Sequence, residues 1–416
     1  MDIKNYMLDM GTKAKKASKK MSTIDTNTKN KALDLMSEAL LENKEKIILA
    51  NKKDMDNGKN NNLSKAKLDR LLLDEKRINS MASGLKKISN LPDPVGEGIK
   101  TIKRPNNLII NKIRVPLGVL GIIYESRPNV TVDAVGLCIK SGNTVILRGG
   151  SEAIHSNKIL TDIIYNASLK AGLPENTIQL VETTDRLAVK FMMQLNDYID
   201  VLIPRGGKGL IQAVVNNSTV PVIETGVGNC HIFIDDTANF DMAEKIIINA
   251  KTQRPAVCNT METLLVHKDI KDKFLPLIKR SLTDLGVELV GCEKTKAIID
   301  VDKATEKDWA NEYLDLKLAI KVVDSIDEAI DHIYEYGTKH SESIITNNYK
   351  NSQKFHKEID AAAVYVNAST RFTDGERYGL GAEIGISTQK LHARGPMGLK
   401  ELTTVKYTVF GDGQIS

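Results

Sequence analysis

The chain has 416 residues, 41% apolar and 27% charged, and its 58 basic and 53 acidic residues leave a net charge of +5. At about 150 residues per domain this is two or three domains, and so balanced a charge argues against a nucleic-acid footprint or an acidic tail. No apolar run approaches the roughly 18 residues of a membrane span, and no basic-then-apolar leader opens the chain, so a cytoplasmic protein with no membrane contact is expected.

Residues 1–90 carry apolar side chains at helical spacing: Leu33, Met36 and Leu40, then Leu68, Leu72, Met81, Leu85 and Ile88. Residues 56–62, rich in Asn, predict a loop within this helical layer, and Leu91-Pro-Asp-Pro94 predicts its end. Lys13, Lys15, Lys16, Lys19 and Lys20 fit a solvated helix face. From 102 to 114 polar and apolar residues alternate around Pro105-Asn106-Asn107, which predicts a hairpin. Both a plain sheet edge and an arm reaching another subunit fit that pattern.

From Val115 the rhythm becomes strand, loop, helix. Strands are predicted at 119–124, 144–147, 178–181, 199–203 and 220–223, with helices at 132–140, 153–171, 185–195 and from Gly207 to Asn217 between them. A second series follows, with strands at 232–234, 343–346 and 363–366 and helices at 242–251, 274–285 and 326–336. The tail from 403 to 410 alternates again and can pair with the 102–114 hairpin. Strands alternating with helices of this length indicate an α/β fold with parallel sheets, whose ligands bind beyond the carboxyl ends of the strands.

The four cysteines, Cys138, Cys230, Cys258 and Cys292, are widely spaced and form no CxxC pair. Reduced thiols fit this better than a disulfide framework or a zinc ribbon, and no metal is expected. Cys230-His231 read as loop and strand residues. Cys258 lies between a helical pattern and the apolar run Thr263-Leu-Leu-Val266, beside Arg254 and Asn259. A thiol half-exposed in such a positive field would have a lowered pKa and act as a nucleophile, whereas a cysteine taken alone is usually a small buried hydrophobe.

The nucleotide signatures GxGxxG and GxxxxGK[ST] do not occur. Two other loops can serve a dinucleotide. Arg148-Gly149-Gly150-Ser151 ends a strand, where Arg148 can meet a ribose or a 2′-phosphate, and Arg205-Gly206-Gly207 precedes a helix whose amides can approach a pyrophosphate. Ordinary glycine turns would look the same. Glu224 ends a strand, where a carboxylate can tune a thiol, act as base, bind a ribose or form a salt bridge. Asn129 can donate its amide to an oxyanion, as can the Cys258 N–H.

The stretch from Val119 to Gly150, the Glu224 and Cys258 loops with their interval, and Trp309-Ala-Asn-Glu312-Tyr-Leu-Asp resemble the aldehyde dehydrogenase superfamily. Longer strings resemble its γ-glutamyl phosphate reductase (glutamate-5-semialdehyde dehydrogenase) branch. They are Tyr124-Glu-Ser-Arg-Pro-Asn-Val-Thr131, Pro221-Val-Ile-Glu-Thr-Gly-Val-Gly-Asn-Cys-His231, Arg254-Pro-Ala-Val-Cys-Asn259 and Gly337-Thr-Lys-His-Ser-Glu342. Two more are Phe372-Thr-Asp-Gly-Glu-Arg-Tyr-Gly-Leu-Gly-Ala-Glu-Ile-Gly-Ile-Ser387 and His392-Ala-Arg-Gly-Pro-Met-Gly398. The resemblance covers essentially the whole chain.

It implies a Rossmann-type cofactor domain in two parts (1–103 and 117–226), an oligomerisation arm (104–116), an α/β catalytic domain (227–395) and a C-terminal strand (396–416) pairing with the arm. It implies NADPH-dependent reduction of L-glutamyl 5-phosphate to L-glutamate 5-semialdehyde and phosphate, the second step of proline biosynthesis from glutamate, through a thioester on Cys258. Glu312 would bind the nicotinamide ribose, and Arg148 would lie near the adenosine end. Arg371, Lys390, His392 and Arg394, clustered in the branch-specific tail, become candidates for the substrate's phosphate and carboxylate. A homo-oligomer, dimer or tetramer, is expected, and a contact with glutamate 5-kinase would spare a labile acyl phosphate from hydrolysis. A hydrolytic semialdehyde dehydrogenase, in which Glu224 activates water, is the alternative enzyme. A catalytically idle scaffold is the alternative outside enzymes, and Cys258, Glu224 and Glu312 argue against it.

Overall fold

Short polar side chains that accept from the first helical turn start most of the N-terminal helices in this computed structural model, which describes residues 2–415. Asp2 caps α1 (Ile3–Met21) and Asp25 caps α2 (Thr26–Glu42); α3 (Lys44–Asn60) follows at once, and Ser64 and Asp74 cap α4 (Lys65–Leu71) and α5 (Glu75–Asn90). The loop expected at 56–62 is mostly helix, because α3 runs on to Asn60. The buried face of α3, Ile47, Asn51, Asp54 and Gly58, is largely polar, so apolar spacing could not show it. Asn51 donates to the Leu71 carbonyl at 2.8 Å and accepts from the Leu73 amide at 2.8 Å. Asp54 accepts from the Ser156 amide and hydroxyl at 2.7 and 2.6 Å.

These helices belong to a first unit, which runs to Thr225 and also takes Gly379–Gly385 and the chain from Met397 on. The hairpin is present as β1 (Gly98–Lys103) and β2 (Ile109–Pro116), antiparallel. The strand Thr403–Phe410 pairs with the other edge of β2, from Thr403 opposite Pro116 to Phe410 opposite Ile109. A parallel sheet follows, built from β3 (Val119–Tyr124), β4 (Thr144–Arg148), β5 (Ile178–Leu180) and β6 (Val201–Arg205) in the order β5-β4-β3-β6. The connecting helices are α6 (Asn129–Lys140), α7 (Ile154–Ala171), α8 (Arg186–Met192) and α9 (Lys208–Asn217). The strand expected at 220–223 is reduced to one bridge, Val222 with Leu202. Pro221 has no N–H to give to a ladder, which limits that pairing.

The second unit comprises Gly226–Tyr378 and Ile386–Pro396. It is built on a seven-stranded sheet, parallel throughout. Its first elements are β7 (Cys230–Ile234), α10 (Phe240–Thr252), β8 (Met261–His267), α11 (Lys271–Thr283), β9 (Glu288–Gly291), β10 (Asp302–Lys303) and β11 (Lys317–Val323). β12 (Ser341–Ile345) and β13 (Ala363–Val366) complete the order β10-β9-β11-β8-β7-β12-β13. The three strands β9, β10 and β11 went unread in the sequence. The first two are short, and in the third Lys317 and Lys321 break the apolar residues into Leu318-Ala-Ile320 and Val322-Val323, too short to read as a strand by alternation or by an unbroken run. No described helix is long and apolar enough to cross a membrane.

Candidate active site

In the second unit Cys258 lies in the turn between α10 and β8, half-buried, and its surroundings fix the peptide on either side. Within the turn the Thr260 amide donates to the Val257 carbonyl at 3.1 Å, and the Thr260 hydroxyl donates to the Arg254 carbonyl at 2.9 Å. The Cys230 thiol donates to the Cys258 carbonyl at 3.2 Å. Gly228 presses on the same peptide, since a Cβ there would stand 1.4 Å from the Cys258 oxygen. Asn259 is held from the other side. The Thr370 hydroxyl donates to its carbonyl at 2.8 Å, and its carboxamide donates to the Thr373 carbonyl at 2.9 Å.

Two guanidiniums accompany this turn. Arg371 donates from Nε to Gln253 Oε1 at 3.2 Å. Burial lowers the Arg371 pKa, the charge of Arg254 lowers it further and the Cys258 thiol raises it, so the three groups lie within electrostatic reach of one another. Arginine stays cationic through shifts of this kind. Arg371 thus joins Arg254 near the Cys258 turn, although the sequence placed it only in the distant tail. Cys230, by contrast, is fully buried; its thiol is pushed well above the usual range, first by burial and then by the Glu342 carboxylate. It is a packing and hydrogen-bonding thiol.

Glu312 accepts the Gly228 N–H at 2.8 Å, at the same residue that presses on the Cys258 peptide. The loop that presents it is propped from below. Glu262 accepts from the Leu314 amide at 3.2 Å and from Lys251 at 2.6 Å, the two side chains fully buried. Burial raises the Glu262 carboxyl and lowers the Lys251 ammonium, and each supplies the charge the other needs. Behind β7, His231 bonds Glu342 at 3.0 Å, and buried His332 is kept neutral by burial and by His231. Of these residues the sequence reading singled out Glu312; it gave no role to Glu262, Lys251 or His332, and took Cys230-His231 only as loop and strand residues.

The tail candidates are placed differently. Lys390 and Arg394 both pair with Asp360, at 2.9 and 2.8 Å, and with Lys339 at 3.6 Å they surround that carboxylate. Lys390 first, then Arg394, hold its pKa down to about 2. His392 is exposed and sits in the left-handed backbone region, with φ of 67°. Of the four tail residues, Arg371 is bonded to the Cys258 turn, through Gln253.

In the first unit the carboxyl ends of the strands carry the remaining candidates. Arg148 ends β4 and is 9% exposed; it donates to the Gly149 and Thr184 carbonyls at 2.6 and 3.3 Å. Its buried Nε has no partner among the described residues. Gly149 is buried under Asn157, and Ser151 is exposed. Gly206 and Gly207 are exposed between β6 and α9. The start of α9 has no side-chain cap and a Cβ on Gly207 would meet nothing within 4 Å, although the Gly207 amide donates to Glu125 at 3.1 Å. Asn129 opens α6 and donates to Asp133 at 2.9 Å; burial raises the Asp133 carboxyl to about 6, with Asn129 and Arg205 opposing. Glu224 is half-buried. Among the described residues no group of three or more His, Cys, Asp or Glu is placed to hold a metal ion.

Known proteins match this arrangement over its full length. The sequence model described as "Aldehyde dehydrogenase family" matches residues 7–298. The chain is 65% identical to a gamma-glutamyl phosphate reductase of Clostridium novyi over 416 residues, 100% of each chain. It is 61% identical to that of Clostridium tetani over 425 aligned residues, 100% of this chain and 99% of the other. The crystal structure of gamma-glutamyl phosphate reductase from Thermotoga maritima is similar at a TM-score of 0.96 and 52% identity, covering 99% of both chains. With a family model spanning more than half its residues and relatives matched from end to end, the chain belongs to the aldehyde dehydrogenase family, in its gamma-glutamyl phosphate reductase branch, and is an oxidoreductase.

Proposed function

We propose that the chain reduces L-glutamyl 5-phosphate to L-glutamate 5-semialdehyde and phosphate with NADPH, through a thioester on Cys258, as the second step of proline biosynthesis from glutamate. The observation that supports this most is the pinned Cys258 turn with Arg254 and Arg371 beside it, in a chain of this branch. The cations favour the thiolate and match the substrate's phosphate. The Cys258 sulfur attacks the acyl carbon, the carbonyl electrons move onto oxygen, and the Cys258 N–H stabilises that oxyanion. When the carbonyl re-forms, phosphate leaves with the electrons of the broken C–O bond.

A nicotinamide cofactor, when bound, supplies hydride to the thioester carbon. Residues of the chain suit it: the uncapped, open start of α9 for a pyrophosphate, Gly149 and Ser151 beside the buried Arg148 for the adenosine end, and Glu312 for the ribose. The unpartnered Arg148 Nε favours a 2′-phosphate and so NADP. The thiohemiacetal then collapses, and Cys258 leaves as thiolate. Glu224 orients groups or handles a proton. In this reading the first unit binds cofactor, the second carries catalysis, and the three-stranded sheet is the arm of a cytoplasmic homo-oligomer that receives its labile substrate from glutamate 5-kinase.

The reaction is tested in reverse, with pyrroline-5-carboxylate, NADP and inorganic phosphate, following NADPH absorbance. Formation that requires phosphate and disappears in Cys258→Ser is expected. Formation without phosphate would make the enzyme a hydrolytic dehydrogenase and assign water activation to Glu224.

A further inference from the structure

Asn259 follows the proposed nucleophile in sequence, and its side chain does no visible chemistry, yet it is 5% exposed and placed at a junction. Its carboxamide donates to two carbonyls of the 370–373 turn on either side of Phe372, that of Thr373 at 2.9 Å and, at the long limit of 3.5 Å, that of Arg371. Its own carbonyl accepts from Thr370 at 2.8 Å. The Asn259 Oδ1 is buried without a hydrogen-bond partner among the described residues, an arrangement proteins avoid unless the rest of the group is needed where it is. The far side of the 370–373 turn is anchored as firmly. Thr373 Oγ1 shares hydrogen bonds with Ser341 at 2.6 Å and with the Tyr365 hydroxyl at 2.8 Å. A turn fixed on both sides leaves its one cationic member, Arg371, a single register, in which Nε meets Gln253 at the start of the Cys258 turn.

We propose that Asn259 is a positioning residue that acts through Arg371, holding the guanidinium in register with the Cys258 thiol so that the departing or entering phosphate is bound beside the reacting carbon. This rests on the reading of Cys258 as nucleophile and of Arg371 as a phosphate ligand. A carboxamide is suited to the task, because one NH2 group can serve two carbonyls of a tight turn at once; aspartate has the same shape and would oppose them with a charge.

The test measures the KM of inorganic phosphate in the reverse reaction for wild type, Asn259→Ala, Arg371→Ala and the double variant, with NADP KM and thermal unfolding measured in parallel. Each single substitution is expected to raise the phosphate KM about tenfold, the double variant no further than Arg371→Ala alone, and the NADP KM to stay within about twofold. Multiplying effects in the double variant would overturn the inference, because Asn259 would then act independently of Arg371. A normal phosphate KM in a folded Asn259→Ala would overturn it as well. A normal phosphate KM in Arg371→Ala would instead remove Arg371 from the phosphate site, and the inference with it, while loss of all activity in Cys258→Ser would leave the nucleophile in place. Should Asn259→Ala not fold, Asn259→Asp, which keeps the volume and removes both donors, is read the same way.

Discussion

A methyl group on Gly228 would lie 1.4 Å from the Cys258 carbonyl oxygen and 2.8 Å from its Cα, distances that no rotamer change can relieve because both partners are backbone. Gly228→Ala therefore has to displace the peptide that carries the thiol. A misplacement near 1 Å costs on the order of 100-fold in rate. We expect kcat to fall by about that factor and cofactor affinity to change little, with steady-state kinetics and cofactor titration as the check; unchanged kcat would mean that the Cys258 turn is softer than its hydrogen bonds suggest. Some of this was legible in the sequence. Cys258, Arg254 and Asn259 stand side by side in the chain, so a half-exposed thiol in a positive field could be read from composition. Gly228, Cys230 and Arg371 reach the same turn from elsewhere in the chain, and nothing local to those residues announces that contact.

At the scale of elements, the segment Ile386–Pro396 is tied down by Asp360, which gathers Lys390, Arg394 and Lys339. The Asp360 carboxyl, held at about 2 by Lys390 first, lies below the ordinary aspartate value of about 3.9. A depressed carboxylate contributes stability above its unfolded pKa and loses it as the pH falls through the folded one. The stability advantage of wild type over Asp360→Asn is thus expected at pH 7, and expected to shrink between about pH 4 and pH 2. Thermal unfolding of the two proteins across that range measures it, and an advantage constant to pH 2 would show that the two lysines and the arginine find other partners. The pattern of elements itself was readable where burial follows apolar spacing, as in β3, α7 and the helix Ile326–Tyr336. It was not readable in α3, whose inner face beyond Ile47 is asparagine, aspartate and glycine, nor in β11, whose apolar residues are split by Lys321 into pieces of three and two.

At the scale of the molecule, the long motif strings revealed the family because each spans a loop whose residues are fixed by contacts rather than by helix or strand propensity. The outer sheet is different. Tyr407 and Val409, both on one face of the C-terminal strand, are 61% and 53% exposed, which in a lone chain would be an open apolar edge element. If that face is the arm of a homo-oligomer, Tyr407→Asp with Val409→Asp should lower the mass seen by light scattering to that of one chain. The unfolding temperature of the isolated subunit should change little. An unchanged mass would place the subunit interface elsewhere.

The chain completes its second unit, apart from one short segment, before it returns to its first. The strand Thr403–Phe410 leaves the ribosome long after β2, with which it pairs. Until residues 403–410 emerge, then, that edge of β2 lacks its partner strand, and closing it requires contacts of very long sequence separation, which form slowly. Nascent chains released early would end with an open strand in the unit that was translated first. A stop between residues 397 and 403 would therefore damage the unit made first, leaving Cys258 and its turn intact on a chain prone to aggregate.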